Sequence, residues 1–175
     1  MVRVSEVLSI LKYGDVPEAR MMIRREEGIL VHRHALTAIA GYYLPPPHPH
    51  IKQYVDRVLK WADRMIEEVL GVEVEVTDRA LGLVGHLDLP CRLKGHKEPW
   101  VIDLKRVSAL MWATRLQLGA YHYMAEKKWR RKFRRGALWI PVSGDLKLWE
   151  PSTNPAHDWA VFLNLLNVYN DSRRG

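Results

Sequence analysis

Residues 81–105 read LGLVGHLDLPCRLKGHKEPWVIDLK, two apolar runs on either side of a polar segment that holds a glycine and a proline. Residues 81–93 and 100–105 have the branched and aliphatic content of strands entering a core, and KGHKEP, 94–99, has the composition of a turn. Both runs nevertheless contain charge: Asp88 in the first, Asp103 and Lys105 in the second. The side-chain period of a strand is two, so Asp103 and Lys105 share a face. If the turn centres on Gly95 to Glu98, antiparallel pairing sets Asp88 opposite Lys105 and diagonal to Asp103. All three side chains then lie on one face. A slip of two residues preserves this, whereas a slip of one separates Asp88 from the others.

Diagonal neighbours in such a pair sit roughly 7–8 Å apart at the backbone, close enough for two carboxylates to lean toward one small cation. Without a cation the two acids repel each other. Carboxylate, carbonyl and water oxygens suit a hard divalent ion, so magnesium or manganese is expected, with Lys105 beside the attacking water as electrostatic stabiliser or proton handler. That combination fits phosphodiester cleavage. The plain alternative is a surface ion pair of Asp103 with Lys105. The apolar flanks and the second acid argue against it, because buried charges need partners.

Upstream of this hairpin the pattern is helical. Val4 to Leu11 reads as a short helix with Ser5 as its N-cap, and YGDVPEAR as a turn into a helix beginning near Pro17. The helical pattern continues from Glu27 to about Tyr43, where the triple proline 45–47 ends it. An amphipathic helix is expected from Pro49 to Leu70, striped by Ile51, Val55, Val58, Leu59, Ala62, Ile66 and Val69 and stopped by Gly71. VEVEV, 72–76, alternates as a strand, which makes residues 72–105 a three-stranded meander. Downstream, a helix over about Ala109–Arg135, a hairpin from GALWIPV and LKLWEP, and a helix over Pro155–Tyr169 complete one mixed α/β domain. Its parts are a helical segment 1–70, the meander 72–105, and a helix, hairpin and final helix over 109–170.

Composition narrows the function classes. The 27 Lys and Arg against 20 Asp and Glu leave a formal net charge of +7, which suits a polyanionic partner such as nucleic acid. Cys91 is the single cysteine, so neither a disulfide framework nor a four-thiolate metal centre can form within the chain. No apolar run approaches membrane-spanning length and the opening residues lack a secretory pattern, so a reducing cytoplasmic setting with no membrane partner is expected. No phosphate-binding loop of a helicase motor is found.

Four motifs stand in order along the chain: Gly28 with His32 in GILVH, Gly85 with Asp88 in GHLD, Asp103 with Lys105 in DLK, and Gln117 with Tyr121 in QLGAY. In this set and order the chain resembles the PD-(D/E)XK nucleases, in particular the RecB-like and phage exonuclease-like branch. The resemblance implies a restriction-endonuclease-like core, a mixed central sheet flanked by helices. It implies that His32, Asp88, Asp103 and the backbone carbonyl of Leu104 hold Mg2+ or Mn2+, and that Lys105 assists the attacking water. Gln117 and Tyr121, one helical turn apart, would orient the site or the DNA. A first-strand carboxylate is a further ligand in some relatives. Glu73 and Glu75 share a face and the residues do not decide between them, so Glu73 is carried as a weak candidate. Leu87 stands where the family's proline would precede Asp88, and the cysteines of its iron-sulfur branch are missing, so no cluster is expected.

KKWRRKFRR, 127–135, is the strongest electrostatic signal. Lys127, Lys128, Arg130, Arg131, Lys132, Arg134 and Arg135 are expected to contact DNA phosphates, with Trp129 and Phe133 packing inward. The plain alternative is a solvated basic helix end. These readings together imply a metal-dependent DNA nuclease, as an exonuclease in recombination, repair or phage DNA processing. They leave room for a separate helicase or recombination protein as partner. A structure-selective endonuclease of the same fold and a non-catalytic nucleic-acid-binding module are the rivals.

Overall fold

The computed structural model describes residues 1–11, 18–107 and 112–173, with side chains from residue 25 onward in the second segment. The elements in chain order are β1 (Val2–Arg3), α1 (Val4–Leu8), α2 (Glu18–Ile39), α3 (Pro49–Met65), β2 (Ile66–Val69), β3 (Val74–Asp78), β4 (Leu83–Leu87), β5 (Leu89–Leu93), β6 (Trp100–Lys105), α4 (Trp112–Trp129), β7 (Arg134–Trp139), β8 (Lys147–Trp149) and α5 (Pro155–Ser172). They build a three-stranded sheet in the order β1-β4-β3 and a five-stranded sheet in the order β2-β5-β6-β7-β8. Both are mixed: β1 runs parallel to β4 and β6 parallel to β7, while the remaining pairs are antiparallel.

Two helix starts follow directly from local chemistry. Pro49 and Pro155 each occupy the first turn, where a missing N–H costs nothing, and each follows a side chain that caps the helix. The Asn154 side chain accepts from the Ala156 N–H at 2.9 Å, and His48 Nδ1 from the His50 N–H at 3.4 Å. At α1 the expected cap is corrected. Arg3, not Ser5, precedes the helix, and the Glu6 carboxylate turns back to accept its N–H at 3.3 Å. The expected turn after Tyr13 and the helix start at Pro17 lie outside the described residues, as do residues 109–111. The helix read over 27–43 ends at Ile39, before the prolines.

The helix expected to run from Pro49 to Leu70 stops at Met65, and Ile66 is already extended, with φ −82° and ψ 131°. Residues 66–69 form an edge strand on β5, pairing Ile66 with Leu93 and Val69 with Cys91. Their sequence fits either period. Pairing with β5 decides, and Arg92 of that strand adds ion pairs to Glu67 at 3.2 Å and Glu68 at 2.6 Å. Gly71 therefore stops no helix.

Two apolar clusters fill the molecule. One lies between the five-stranded sheet and α2 and α3, with Leu36, Ile51, Val58, Trp61, Leu89, Leu93, Ile102 and Leu138 among its members. The other joins α1, α4, α5 and the three-stranded sheet through Val7, Leu83, Leu87, Leu116, Met124 and Phe162. β6 serves both. Trp100, Ile102 and Leu104 belong to the first cluster and Val101 to the second, so the period of two directs Asp103 and Lys105 toward the α4 side. Cys91 packs in the first cluster, and burial pushes its thiol up to about 12, which makes it a packing group and not a nucleophile. No helix among the described residues is long and apolar enough to cross a membrane.

The strand read over 81–93 is two strands. β4 pairs with β3 in one sheet, β5 pairs with β6 in the other, and Asp88 is the bend where the chain passes between them. β5 and β6 pair Leu89 with Ile102 and Cys91 with Trp100, two residues off the register centred on Gly95–Glu98. That even offset preserves the shared face. Continued one step, it brings Asp88 opposite Asp103 instead of Lys105.

Candidate active site

The bend at Asp88 is fixed from two sides. The Leu104 N–H donates to Asp88 Oδ2 at 2.8 Å, and the Asp88 carbonyl accepts from the Glu73 N–H at 2.9 Å. Glu73 stands just before β3 with φ +50°, a left-handed backbone that costs a non-glycine residue of order 1–3 kcal/mol. That conformation separates it from Glu75, which pairs with His86 at 3.3 Å. Glu73, His32 and Asp88 each bring a ligand atom within 4.8 Å of the others. Of Glu73 and Glu75, between which the sequence does not decide, the turn preceding β3, where the alternation of the strand has not yet begun, brings Glu73 to His32 and Asp88.

His32 reaches the site from α2. Its Nε2 donates to the Leu104 carbonyl at 2.5 Å, and its Nδ1 lies 3.5 Å from Asp88 Oδ2. Burial lowers the His32 pKa, with Asp103 and the Leu104 carbonyl opposing, so the ring is neutral at neutral pH. A neutral ring that donates from Nε2 turns the lone pair of Nδ1 toward a carboxylate oxygen. Two acceptors then face each other, and a proton or a cation between them resolves the conflict.

Asp103 is buried, with 2% of its surface exposed. Lys105 Nζ lies 2.8 Å from its Oδ2. The ion pair lacks hydrogen-bond alignment, so that buried oxygen has no hydrogen-bond partner among the described residues. Asp103 stands beside the His32, Glu73 and Asp88 group and not within it. The Lys105 ammonium also donates to Gln117 Oε1 at 2.8 Å, and Gln117 Nε2 donates to the Tyr121 hydroxyl at 2.9 Å. A chain Asp103–Lys105–Gln117–Tyr121 therefore crosses from β6 to α4. Burial, then Asp103 and Asp88, push the Tyr121 phenol far above its ordinary value and keep it neutral. Gly85 makes room for this helix: a Cβ there would come within 3.2 Å of Tyr121 Cε1 and 3.0 Å of Met124 Sδ.

These residues fit a divalent cation. Asp88 is buried, and burial first, then the charge of Asp103, raise its pKa well above the usual carboxylate range; Lys105 and the Leu104 N–H oppose them only in part. Buried carboxylates, a neutral imidazole and the Leu104 carbonyl are the donors such an ion takes. A raised folded-state pKa contributes stability that is full below the unfolded value and lost as pH rises through the folded value. The metal-free protein is therefore expected to gain melting temperature at neutral pH on Asp88→Asn, with the gain shrinking toward pH 4. Added Mn2+ should stabilise the wild type and not the variant. Thermal melts over pH 4–8, with and without Mn2+, check both statements.

The basic run sits elsewhere. β6 and β7 pair Trp100 with Arg134 and Lys105 with Trp139, which sets the run at the opposite end of these strands, roughly 16 Å from Lys105 at 3.3 Å per residue. Lys127 pairs with Asp78 at 2.6 Å, Lys132 with Glu126 at 3.6 Å, and Arg134 with Glu150. Arg135 is 2% exposed and pairs with the buried Asp158, which also accepts from the Thr153 hydroxyl at 2.6 Å. Lys128, Arg130 and Arg131 are exposed and have no carboxylate partner among the described residues. Phe133 is buried and Trp129 packs on the second cluster, as expected. Arg135→Ala should cost about 3 kcal/mol of stability by leaving a buried carboxylate short of a partner, with little change in DNA affinity. Urea unfolding beside a DNA-binding titration separates the two effects.

A cleft of about 370 Å³ opens beside the His32, Glu73 and Asp88 group, lined by His32 and Glu73 together with Ile29, Arg33, Leu36, Thr37 and Val72. A second cleft of about 370 Å³, between α4 and α5, contains His122, Lys132 and Trp159 and none of the convergent His32, Glu73 and Asp88. Sequence gave no sign of Arg33, the residue after His32, on the rim of that cleft. It also missed Arg106, which follows Lys105. Its guanidinium lies 4.0 Å from the Tyr54 ring centroid and 3.4 Å from Glu27, tying α2 and α3 to the end of β6.

The family model for the PD-(D/E)XK nuclease superfamily matches residues 18–168. The chain belongs to this superfamily, and its two mixed sheets with flanking helices are a restriction-endonuclease-like fold. A solved structure with the same fold is a candidate exonuclease from Eubacterium rectale. It superposes with a TM-score of 0.60 at 11% identity, covering 97% of this chain and 81% of that one. No curated protein matches the chain by sequence.

Proposed function

We propose that the protein is a divalent-metal-dependent DNA nuclease of the RecB-like and phage exonuclease-like branch, acting as an exonuclease. The observation that carries this reading is the convergence of His32, Glu73 and Asp88 within 4.8 Å, beside a buried Asp103 held by Lys105. Exonucleolytic action is supported by the name of the structurally similar protein from Eubacterium rectale, and DNA as substrate by the net charge of +7.

In this reading His32, Glu73, Asp88, Asp103 and the Leu104 carbonyl hold Mg2+ or Mn2+. The bound ion supplies Lewis-acid charge to the phosphate and lowers the pKa of water. The residues of the chain supply the rest. Asp103 and Gln117 orient the Lys105 ammonium, which donates toward the phosphate oxygens where charge develops and stabilises the incoming nucleophile. Gln117 is itself held by the Tyr121 hydroxyl, and that phenol stays protonated throughout. Lys128, Arg130 and Arg131 are far enough from the site to meet a flanking stretch of DNA, which makes their contribution electrostatic and salt-sensitive. A helicase or recombination protein would act as a separate partner.

The test uses end-labelled single- and double-stranded DNA and a closed circle, incubated with Mg2+, Mn2+ or chelator. The expected result is metal-dependent release of short products from the linear substrates, with the circle intact. Cutting of the circle would assign the endonuclease reading. Tight binding without cleavage in any metal would assign a non-catalytic module.

A further inference from the structure

We propose that the cleft opening at the metal residues seats one nucleoside of the substrate, its base against the apolar walls and the neighbouring phosphate on Arg33. This inference rests on the nuclease reading. His32 and Glu73 belong both to the convergent ligand group and to the lining of this cleft. A phosphodiester held at those ligands carries a sugar on each of two oxygens, so one of the two attached nucleosides can enter a space that begins at the same two side chains. The cleft is that space, and its volume of about 370 Å³ is at the small end of the range for ligand pockets, enough for one nucleoside and too little for two.

The lining matches such an occupant. Ile29 and Val72 offer aliphatic surface to the faces of a base, over a floor formed by the buried Leu36. Ile29 is 57% exposed, so its aliphatic surface is accessible to a stacked base. Ile29, Arg33 and Leu36 follow the spacing of one face of α2. Arg33 is exposed, and among the described residues no carboxylate pairs with it, so its guanidinium is available to the next phosphate. His32 and Glu73 are engaged with the metal in the proposed reading and Arg33 with the phosphate, which leaves Thr37 as the one polar side chain of the lining free to meet the edges of a base. The cleft should therefore sense whether a base is present and not which of the four it is.

Oligonucleotides bearing one abasic tetrahydrofuran residue, stepped along the strand, test this with wild-type protein and Mn2+. The expected result is cleavage slowed about tenfold or more at one phosphodiester adjoining the abasic position, expressed mainly in KM, with similar rates for all four intact bases. Thr37→Trp, which fills the cleft from an accessible helix position, should raise KM about tenfold on intact DNA and erase the abasic effect while Mn2+ affinity is retained. Equal cleavage of abasic and intact DNA by the wild type would overturn this inference and leave the nuclease reading standing. Absence of metal-dependent cleavage by the wild type would overturn both.

Discussion

Asp103→Asn is expected to lower phosphodiester cleavage on the order of 10³-fold or more in a protein that stays folded. The substitution keeps the shape of a side chain that is buried and contacts Lys105 at 2.8 Å, but it removes the charge. A cation held in this site would contribute several kcal/mol of charge stabilisation, and each 1.36 kcal/mol is a factor of ten in rate. The stability effect should be small. The same charge raises the pKa of Asp88, so its loss relieves repulsion in the metal-free protein while it leaves Lys105 less well paired. Single-turnover cleavage beside a thermal melt checks both halves. A folded variant retaining more than about a tenth of wild-type cleavage would remove Asp103 from the machinery.

Lys105→Ala is the second large effect, expected at about 10²- to 10⁴-fold in kcat, the range for a positioned acid–base or electrostatic group. The ammonium is held between Asp103 and Gln117 Oε1, so its direction is set before substrate arrives. Gln117→Ala should cost less than Lys105→Ala, because it removes only one of two supports. Additivity provides the decisive comparison. If Gln117 acts through Lys105, the double variant should be no slower than Lys105→Ala alone. Mn2+ affinity should persist in Lys105→Ala, which distinguishes loss of the amine from loss of the ion.

Much of the site was legible in the sequence because it rests on short-range periodicity. The period of two placed Asp103 with Lys105 on one face of β6, and spacing of four placed Gln117 with Tyr121 on one face of α4, where a hydrogen bond of 2.9 Å joins Gln117 to Tyr121. What could not be read depended on distant pairing. Residues 66–69 continue a helical stripe as well as they form a strand, and only the edge of β5 decides between them. The run 81–93 shows no mark at Asp88 of the bend that sends β4 and β5 into different sheets. The distinction between Glu73 and Glu75 lies in a single left-handed φ at a residue with no sequence preference for it. The basic run was conspicuous because charge is visible in sequence while its partners are not. Asp78, Glu126, Glu150 and Asp158 meet four of its seven cations, and Arg135 is part of the interior.

In the proposed function, His32, Asp88 and Asp103, with Glu73 and the Leu104 carbonyl, hold a divalent cation on which cleavage depends. Titration of Mn2+ followed by electron paramagnetic resonance, on wild type and on Asp88→Asn, tests it without reference to any substrate. Saturable binding by the wild type, weakened at least tenfold by the single substitution, is the predicted result. Absent binding in the wild type, or equal affinity in the two proteins, would contradict it.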